Sequence, residues 1–201
     1  MPIRQRLSFA LAILGWSGII LQYFSTFGNG ISPTYEKIAG FFTCFSTLTN
    51  FLAALYFTVQ IFKKKHSSNG KLTALAVFLI IAGLIYHFSL WRNGNPSGLP
   101  LLVAGILHSA IPILTLIYWA LYENKFRVDY SQVPRWLLYP GIYLLYLMIV
   151  RKATGVRPYE FFNNTDLAMS DALIYSFVLL AGATLIAILL IFLGRLVSVL
   201  A

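Results

Sequence analysis

The chain has 201 residues, of which 59% are hydrophobic and only 10% are charged. A soluble domain carries about a quarter charged residues, so this composition and a mean hydropathy of +0.77 do not fit a soluble protein. The formal net charge of +9 falls in short segments between apolar runs. Such segments are typical of loops that face anionic lipid headgroups. We therefore predict an integral membrane protein whose partners include membrane lipids and no nucleic acid.

Six apolar segments approach or exceed the length of about 20 residues that a helix needs to cross a bilayer. The alternating pattern of a membrane β-barrel is absent from the sequence. We therefore predict an all-α polytopic bundle of six transmembrane helices, with residues 1–201 as a single domain and an uncleaved first span. The predicted spans are Leu7–Phe24, Ile38–Phe62, Leu72–Trp91, Leu99–Tyr122, Trp136–Val150 and Ala172–Leu193.

The basic residues are divided unequally between the two sides of this arrangement. Lys and Arg accumulate in cytoplasmic loops, so the side with more of them is predicted to face the cytoplasm. One side holds ten: Arg4, Arg6, Lys63, Lys64, Lys65, Lys71, Lys125, Arg127, Arg135 and Arg195. The other side holds five: Lys37, Arg92, Arg151, Lys152 and Arg157. Both termini are therefore predicted to be cytoplasmic.

The stretch FFTCFSTLTN, residues 41–50, places several polar side chains inside the second predicted span. Thr43, Ser46, Thr47 and Asn50 follow the spacing i, i+3, i+4, i+7, which puts them on one face of a continuous helix. A polar stripe in hydrocarbon must face other helices or a wet cavity. It indicates either hydrogen bonds between helices or a functional site, and the stripe alone does not decide between them. Cys44 would point about 100° away from Thr43, so we interpret it as a packing residue.

Two histidines lie in the same leaflet as this stripe. His87, His108 and Thr43 are predicted at depths of roughly 6, 13 and 8 Å below the outer boundary. Ionisable side chains inside a membrane are candidate functional residues. Pro112 removes the helical hydrogen-bond partner of the His108 carbonyl, which predicts a kink or a widened pocket there. Gly105, before His108, would allow the close approach of another helix or a ligand.

These side chains could support acyl transfer. A threonine hydroxyl becomes a nucleophile when a base takes its proton, and a neutral imidazole is the usual base. Ser46, Thr47 and Asn50 are candidate oxyanion donors, although nothing in the sequence selects among them. His87 is a further candidate for substrate contact, without an assigned role.

Other chemistries find little support in the sequence. There is no GxSxG motif and no HExxH motif, and the six acidic residues lie in or near loops. The single cysteine allows no intrachain disulfide. We therefore predict neither a metal site nor a cofactor.

Three stretches in order resemble a known family: FFTCFSTLTN, LHSAIPIL (Leu107–Leu114) and IVRKATGVRPYEFF (Ile149–Phe162). They resemble the androgen-induced-protein-like integral membrane family, which includes compact bacterial members. This resemblance implies hydrolysis of fatty acid esters of hydroxy fatty acids, with Thr43 as nucleophile and His108 as base. It also implies the bacterial inner membrane as the location. A loop with Pro158, Tyr159 and Phe161 is similar to an aromatic-proline cluster of that family, and it indicates either an interfacial anchor or a lid.

The sequence thus predicts a membrane-embedded threonine hydrolase that acts on lipid or fatty-acyl esters. The alternative is a non-enzymatic lipid-binding or transport protein. A transporter is expected to show broken spans in matching positions of two halves, and the sequence shows no such symmetry. The oligomeric state does not follow from the sequence.

Overall fold

The computed structural model describes residues 1–28, 35–63, 69–93, 96–154 and 169–200. Within these ranges every regular element is helical and no strand occurs. The α-helices are α1 (Ile3–Phe27), α2 (Tyr35–Thr43), α3 (Phe45–Phe62), α4 (Lys71–Asn93), α5 (Leu99–Gly105), α6 (Ile111–Tyr122), α7 (Val133–Trp136), α8 (Leu138–Thr154) and α9 (Met169–Leu200). The predicted loop with Pro158, Tyr159 and Phe161 lies outside the described residues.

Among the described residues, six helical segments are long and apolar enough to cross a membrane, which confirms the predicted all-α bundle. Their bounds are Ile3–Phe27, Phe45–Phe62, Lys71–Phe88, Leu99–Tyr122, Tyr130–Thr154 and Ser176–Val197. Large apolar side chains such as Ile20, Ile142 and Leu185 are exposed on the outer surface. Such a surface suits contact with lipid, because apolar side chains need no hydrogen-bond partners in hydrocarbon. The chain is thus an integral membrane protein.

The helix α4 lies at the centre of the bundle and contacts α3, α6 and α9. Its side chains Leu72, Ala76 and Leu79 are completely buried. On one side of this centre, α1 packs closely along α3, because Gly15 has no side chain to separate the backbones. A Cβ atom on Gly15 would lie only 3.0 Å from the Cβ of Ala54, and small residues at such contacts are typical of membrane helix pairs.

The second predicted span is not one continuous helix. The prediction of an unbroken helix over Ile38–Phe62 is wrong, because α2 ends at Thr43 and Cys44 has an extended backbone with φ −72° and ψ 121°. Such a break leaves carbonyl groups without helical partners inside the membrane. Side chains of α8 supply the missing donors: the Tyr143 hydroxyl lies 2.9 Å from the Thr43 carbonyl and the Tyr146 hydroxyl 3.4 Å from that of Phe42.

The fourth span has the predicted bounds, Leu99–Tyr122, with a local change of helix type in the middle. Residues Ile106–Ala110 form a π-helical turn in which the Ile111 N–H donates to the carbonyl of Ile106, five residues earlier. Pro112 follows this turn and has no N–H to offer the His108 carbonyl, so a regular α-helix could not continue with all bonds made. The predicted irregularity at His108 is therefore present as a π turn.

Candidate active site

The imidazole of His108 lies in the π turn, between α4 and the break in the second span. The side chain is only 8% exposed, and its Nδ1 atom has no hydrogen-bond partner among the described residues. The ring stacks on Tyr86 of α4, with ring centroids 3.9 Å apart and an interplanar angle of 8°. The stack fixes the plane of the imidazole.

Two contacts hold the backbone around His108 in place. Gly83 of α4 faces the His108 carbonyl so closely that a Cβ atom there would lie 2.7 Å from the oxygen. From the other side, the Asn50 Nδ2 atom donates to the Leu107 carbonyl at 3.3 Å and to the Ser46 carbonyl at 2.9 Å. Asn50 is completely buried. It therefore connects α3 directly to the π turn that carries the histidine.

A cavity of about 180 Å³ opens beside the imidazole, and we call it the His108 cavity. A water molecule has a share of about 30 Å³ in the liquid, so the space admits a small polar group and part of an acyl chain. Among the described residues, its lining consists of Cys44, Phe45, Ser46, Ala82, Ile85, Tyr86 and His108. The break in the second span, α4 and the π turn thus all contribute to the wall of one cavity.

A second space of about 250 Å³ lies on another side of His108, and we call it the outer groove. Its lining is mostly apolar and consists of Ile80, Gly83, Leu84, His87, His108, Ser109, Pro112, Ile113 and Leu116. Leu84 and Ile113 have more than half of their surface exposed, so the groove reaches the lipid-facing surface. In the groove, the Nε2 atom of His87 lies 3.1 Å from the Ser109 hydroxyl.

Thr43 lies at the last position of α2 and is completely buried. Its hydroxyl lies 2.7 Å from the Ala39 carbonyl and 3.2 Å from the Gly40 carbonyl, so it donates to its own helix. Thr43 is not one of the residues that line the His108 cavity. The structure therefore brings Ser46 and Cys44 to the cavity with His108, and it directs the Thr43 hydroxyl toward the backbone of α2.

The remaining polar residues of FFTCFSTLTN are divided between the cavity and the helix interfaces. Because of the break at Cys44, the predicted stripe from Thr43 to Asn50 does not continue along one helix face. Thr47 is buried. The Thr49 hydroxyl lies 3.1 Å from the hydroxyl of Tyr139 on α8. Thr49 therefore connects helices, as expected for a polar residue at a membrane interface. Ser46 alone of the predicted oxyanion candidates lines the cavity.

The structure differs from the prediction at two single residues. Cys44 was interpreted as a packing residue on a continuous helix, but the helix is interrupted at its position and the residue lines the His108 cavity, apart from the Thr43 hydroxyl. In the described part of the chain, no neighbouring helix or side chain lies within 4 Å of a Cβ atom built on Gly105, so the predicted close approach is not found there. The close approaches to the π turn come from Gly83 and from Gly18, whose Cβ would lie 2.6 Å from Leu107 Cδ2.

Tyr86, whose ring stacks on His108, was not among the predicted site residues. The signal that could have found it is the spacing of Ala82, Ile85 and Tyr86, which puts them on one face of α4.

Of the described residues, no three His, Cys, Asp or Glu side chains are grouped in a way that could hold a metal ion. Comparisons with protein-family models, curated proteins and solved structures give no match.

Proposed function

We propose that the chain is a membrane-embedded hydrolase of lipid esters, with His108 as its general base. The observation that carries the proposal is the His108 imidazole, which is buried without a partner at Nδ1 among the described residues and lines a cavity with Ser46 and Cys44. A buried polar atom without a partner costs about 1–3 kcal/mol. Such groups are rare in proteins, and a catalytic role is one of the explanations for them.

The nucleophile comes from the break between α2 and α3 in this proposal. The resemblance described above assigns the role to Thr43, whose side chain would have to rotate away from the Ala39 carbonyl before it could reach His108. Ser46 and Cys44 already line the cavity. In each case the imidazole takes the proton of the nucleophile and later returns it to the leaving alcohol.

Apolar surroundings favour a lipid as the substrate. The outer groove reaches the lipid-facing surface and adjoins the same imidazole, so an acyl chain could lie there while its ester group approaches His108. Each buried CH₂ group contributes about 0.8 kcal/mol to binding. Fatty acid esters of hydroxy fatty acids carry their ester within the chain, at the depth of about 8–13 Å estimated for the site.

The proposal includes an orientation in the membrane. The excess of Lys and Arg at one side favours cytoplasmic termini in the bacterial inner membrane. His87 lies toward the carboxyl end of α4, the end opposite to Lys71 and the cytoplasmic basic residues. The site is then in the outer leaflet, and lipids of that leaflet are its substrates.

The experiment measures kcat/KM separately for the p-nitrophenyl esters of acetate, octanoate and palmitate, with the purified chain in detergent. We expect kcat/KM to rise steeply with acyl length, because longer chains bury more apolar surface in the groove. A flat profile, or a preference for acetate, would contradict a lipid-ester site. Binding of long-chain esters without hydrolysis would favour the alternative of a lipid-binding protein.

A further inference from the structure

Cys44 has a position that differs from every other residue of the FFTCFSTLTN stretch. It is the residue between α2 and α3, with an extended backbone and no side-chain cap bond to the helix that follows. Its Sγ atom lies 3.2 Å from the Ser46 hydroxyl, and both residues line the His108 cavity. The thiol is therefore held by contacts inside the cavity and is only partly buried.

The neighbouring hydroxyl of Thr43 has the opposite arrangement. Its proton is directed to two carbonyl oxygens of α2, at 2.7 and 3.2 Å, and the residue has no exposed surface. To act as a nucleophile, Thr43 would first have to give up these bonds. Cys44 needs no such change, and a thiol also loses its proton more readily than an alcohol.

The lining of the His108 cavity also includes a base, the imidazole of His108. Only 8% of the His108 surface is exposed, and its Nδ1 has no partner among the described residues. Cys44 and His108 are thus two reactive side chains in the wall of one cavity of about 180 Å³. This combination of a thiol with an imidazole is the standard arrangement for a thiol nucleophile.

The beginning of α3 offers donors for a developing negative charge. The first bond within this helix runs from the Leu48 N–H to the Cys44 carbonyl at 3.2 Å. The amides of the preceding turn, such as those of Ser46 and Thr47, have no carbonyl partner within the helix. The positive end of the helix dipole favours an anion at this place, and such amides commonly form an oxyanion hole.

We propose that Cys44 is the nucleophile of this site and that the first turn of α3 forms its oxyanion hole. The inference rests on the proposed ester hydrolysis at His108. The imidazole takes the thiol proton, a C–S bond forms to the ester carbonyl, and the C–O bond to the alcohol breaks as His108 returns the proton. Water then attacks the thioester, His108 takes a proton from it, and the released thiolate recovers that proton as the free acid leaves.

The test traps the acyl intermediate on the full-length chain in detergent with p-nitrophenyl palmitate. Samples are quenched in acid, and their intact mass is measured before and after neutral hydroxylamine, which cleaves thioesters and leaves oxygen esters. Cys44 is the single cysteine of the chain, so alkylation by iodoacetamide reports on this residue alone. Four variants accompany the wild type: Cys44→Ala, Thr43→Ala, Thr184→Ala and His108→Gln.

Thr184→Ala is a matched control for Thr43→Ala. The Thr184 hydroxyl also donates to the carbonyl four residues earlier, that of Leu180, at 2.7 Å. Both substitutions therefore remove the same local hydrogen bond, and Thr184 is outside the His108 cavity. A fall in activity that occurs in Thr43→Ala and is absent in Thr184→Ala reports on the site and not on the lost bond.

We expect a palmitoyl mass on the wild type that hydroxylamine removes and that Cys44→Ala does not acquire. Cys44→Ala is expected to lose as much activity as His108→Gln, and Thr43→Ala is expected to acquire the same palmitoyl mass, removable by hydroxylamine, as the wild type. An acyl group on Thr43 or Ser46 that resists hydroxylamine, or full activity in Cys44→Ala, would overturn the assignment and leave the proposed hydrolysis intact. No hydrolysis by the wild type would overturn both.

Discussion

At the scale of single residues, the burial of Glu123 shows how this fold uses its few acidic side chains. The carboxylate follows α6 and is 5% exposed. Its Oε2 atom accepts from the Thr73 N–H and the Thr73 hydroxyl, both at 3.1 Å, and Trp119 Nε1 donates to the same hydroxyl at 2.9 Å. The carboxylate thus satisfies an N–H in the first turn of α4, where the helix dipole favours negative charge.

We predict that Glu123→Gln lowers the free energy of unfolding by about 1.5–3 kcal/mol, the usual range for a hydrogen bond to a charged group. The measurement is thermal unfolding in detergent. Asp129→Asn is the matched control, because Asp129 pairs with Arg195 at 2.5 Å while 58% of its side chain is exposed. An exposed pair contributes about 0–1 kcal/mol, so equal effects of the two substitutions would contradict this account.

Residue by residue, the sequence predicted part of the candidate site. His108 was recognisable because an ionisable side chain in an apolar run is rare, and Pro112 indicated the irregular backbone. The position of Cys44 in the cavity wall was not predicted, because its direction was inferred from a continuous helix. The direction of a side chain depends on the backbone at that position, and nothing local in FFTCFSTLTN required an extended residue there.

At the scale of elements, the π turn of the fourth span depends on a close contact with α4. The His108 carbonyl lacks a helical partner because of Pro112, and Gly83 allows α4 to lie against this carbonyl. The sequence predicted the bounds of the span and the effect of Pro112. It did not predict the role of Gly83, because the register of two helices is set by packing over their whole length.

We predict that Gly83→Ala reduces esterase activity and destabilises the fold by about 1–3 kcal/mol, as overpacking in a tight contact usually does. The added Cβ would lie 2.7 Å from the His108 carbonyl and must displace the π turn. Gly105→Ala is the matched control, since none of the described residues that could clash lies within 4 Å of its Cβ position. It should leave activity unchanged and raise helix stability by up to about 1 kcal/mol. Equal activities in the two variants would contradict the positioning role of Gly83.

The break in the second span shows why the interruption of a helix is harder to predict from sequence than the presence of an apolar span. Tyr143 and Tyr146 of α8 donate to the carbonyls at the end of α2. These donors come from a segment about one hundred residues later in the chain, with sequence separations of 100 and 104. Local hydropathy therefore favoured a continuous helix, and a tertiary contact stabilised the interrupted one.

At the scale of the whole molecule, six apolar spans were predictable because hydrocarbon demands long apolar helices wherever a chain crosses it. The orientation of the bundle stays a prediction from the basic loops. We predict that Lys64 faces the cytoplasm and Ser97 the outside, because Lys and Arg accumulate near Lys64.

The measurement is labelling of intact cells with a membrane-impermeant maleimide. Lys64→Cys and Ser97→Cys are each introduced into a Cys44→Ser background, so that the new thiol is the one that reacts. Ser97 is exposed in the connection before α5. Labelling of Ser97→Cys without labelling of Lys64→Cys is expected. The reverse pattern would invert the bundle and place the site in the inner leaflet.

The most direct test of the central claim is the activity of His108→Gln with p-nitrophenyl palmitate. Glutamine keeps a polar side chain of similar size and cannot act as a base. Loss of a general base typically costs a factor of about 10²–10⁴, so kcat/KM should fall by that factor while Tm and the gel-filtration profile stay those of the wild type. Wild-type activity in a folded His108→Gln protein would contradict the claim that His108 drives ester hydrolysis.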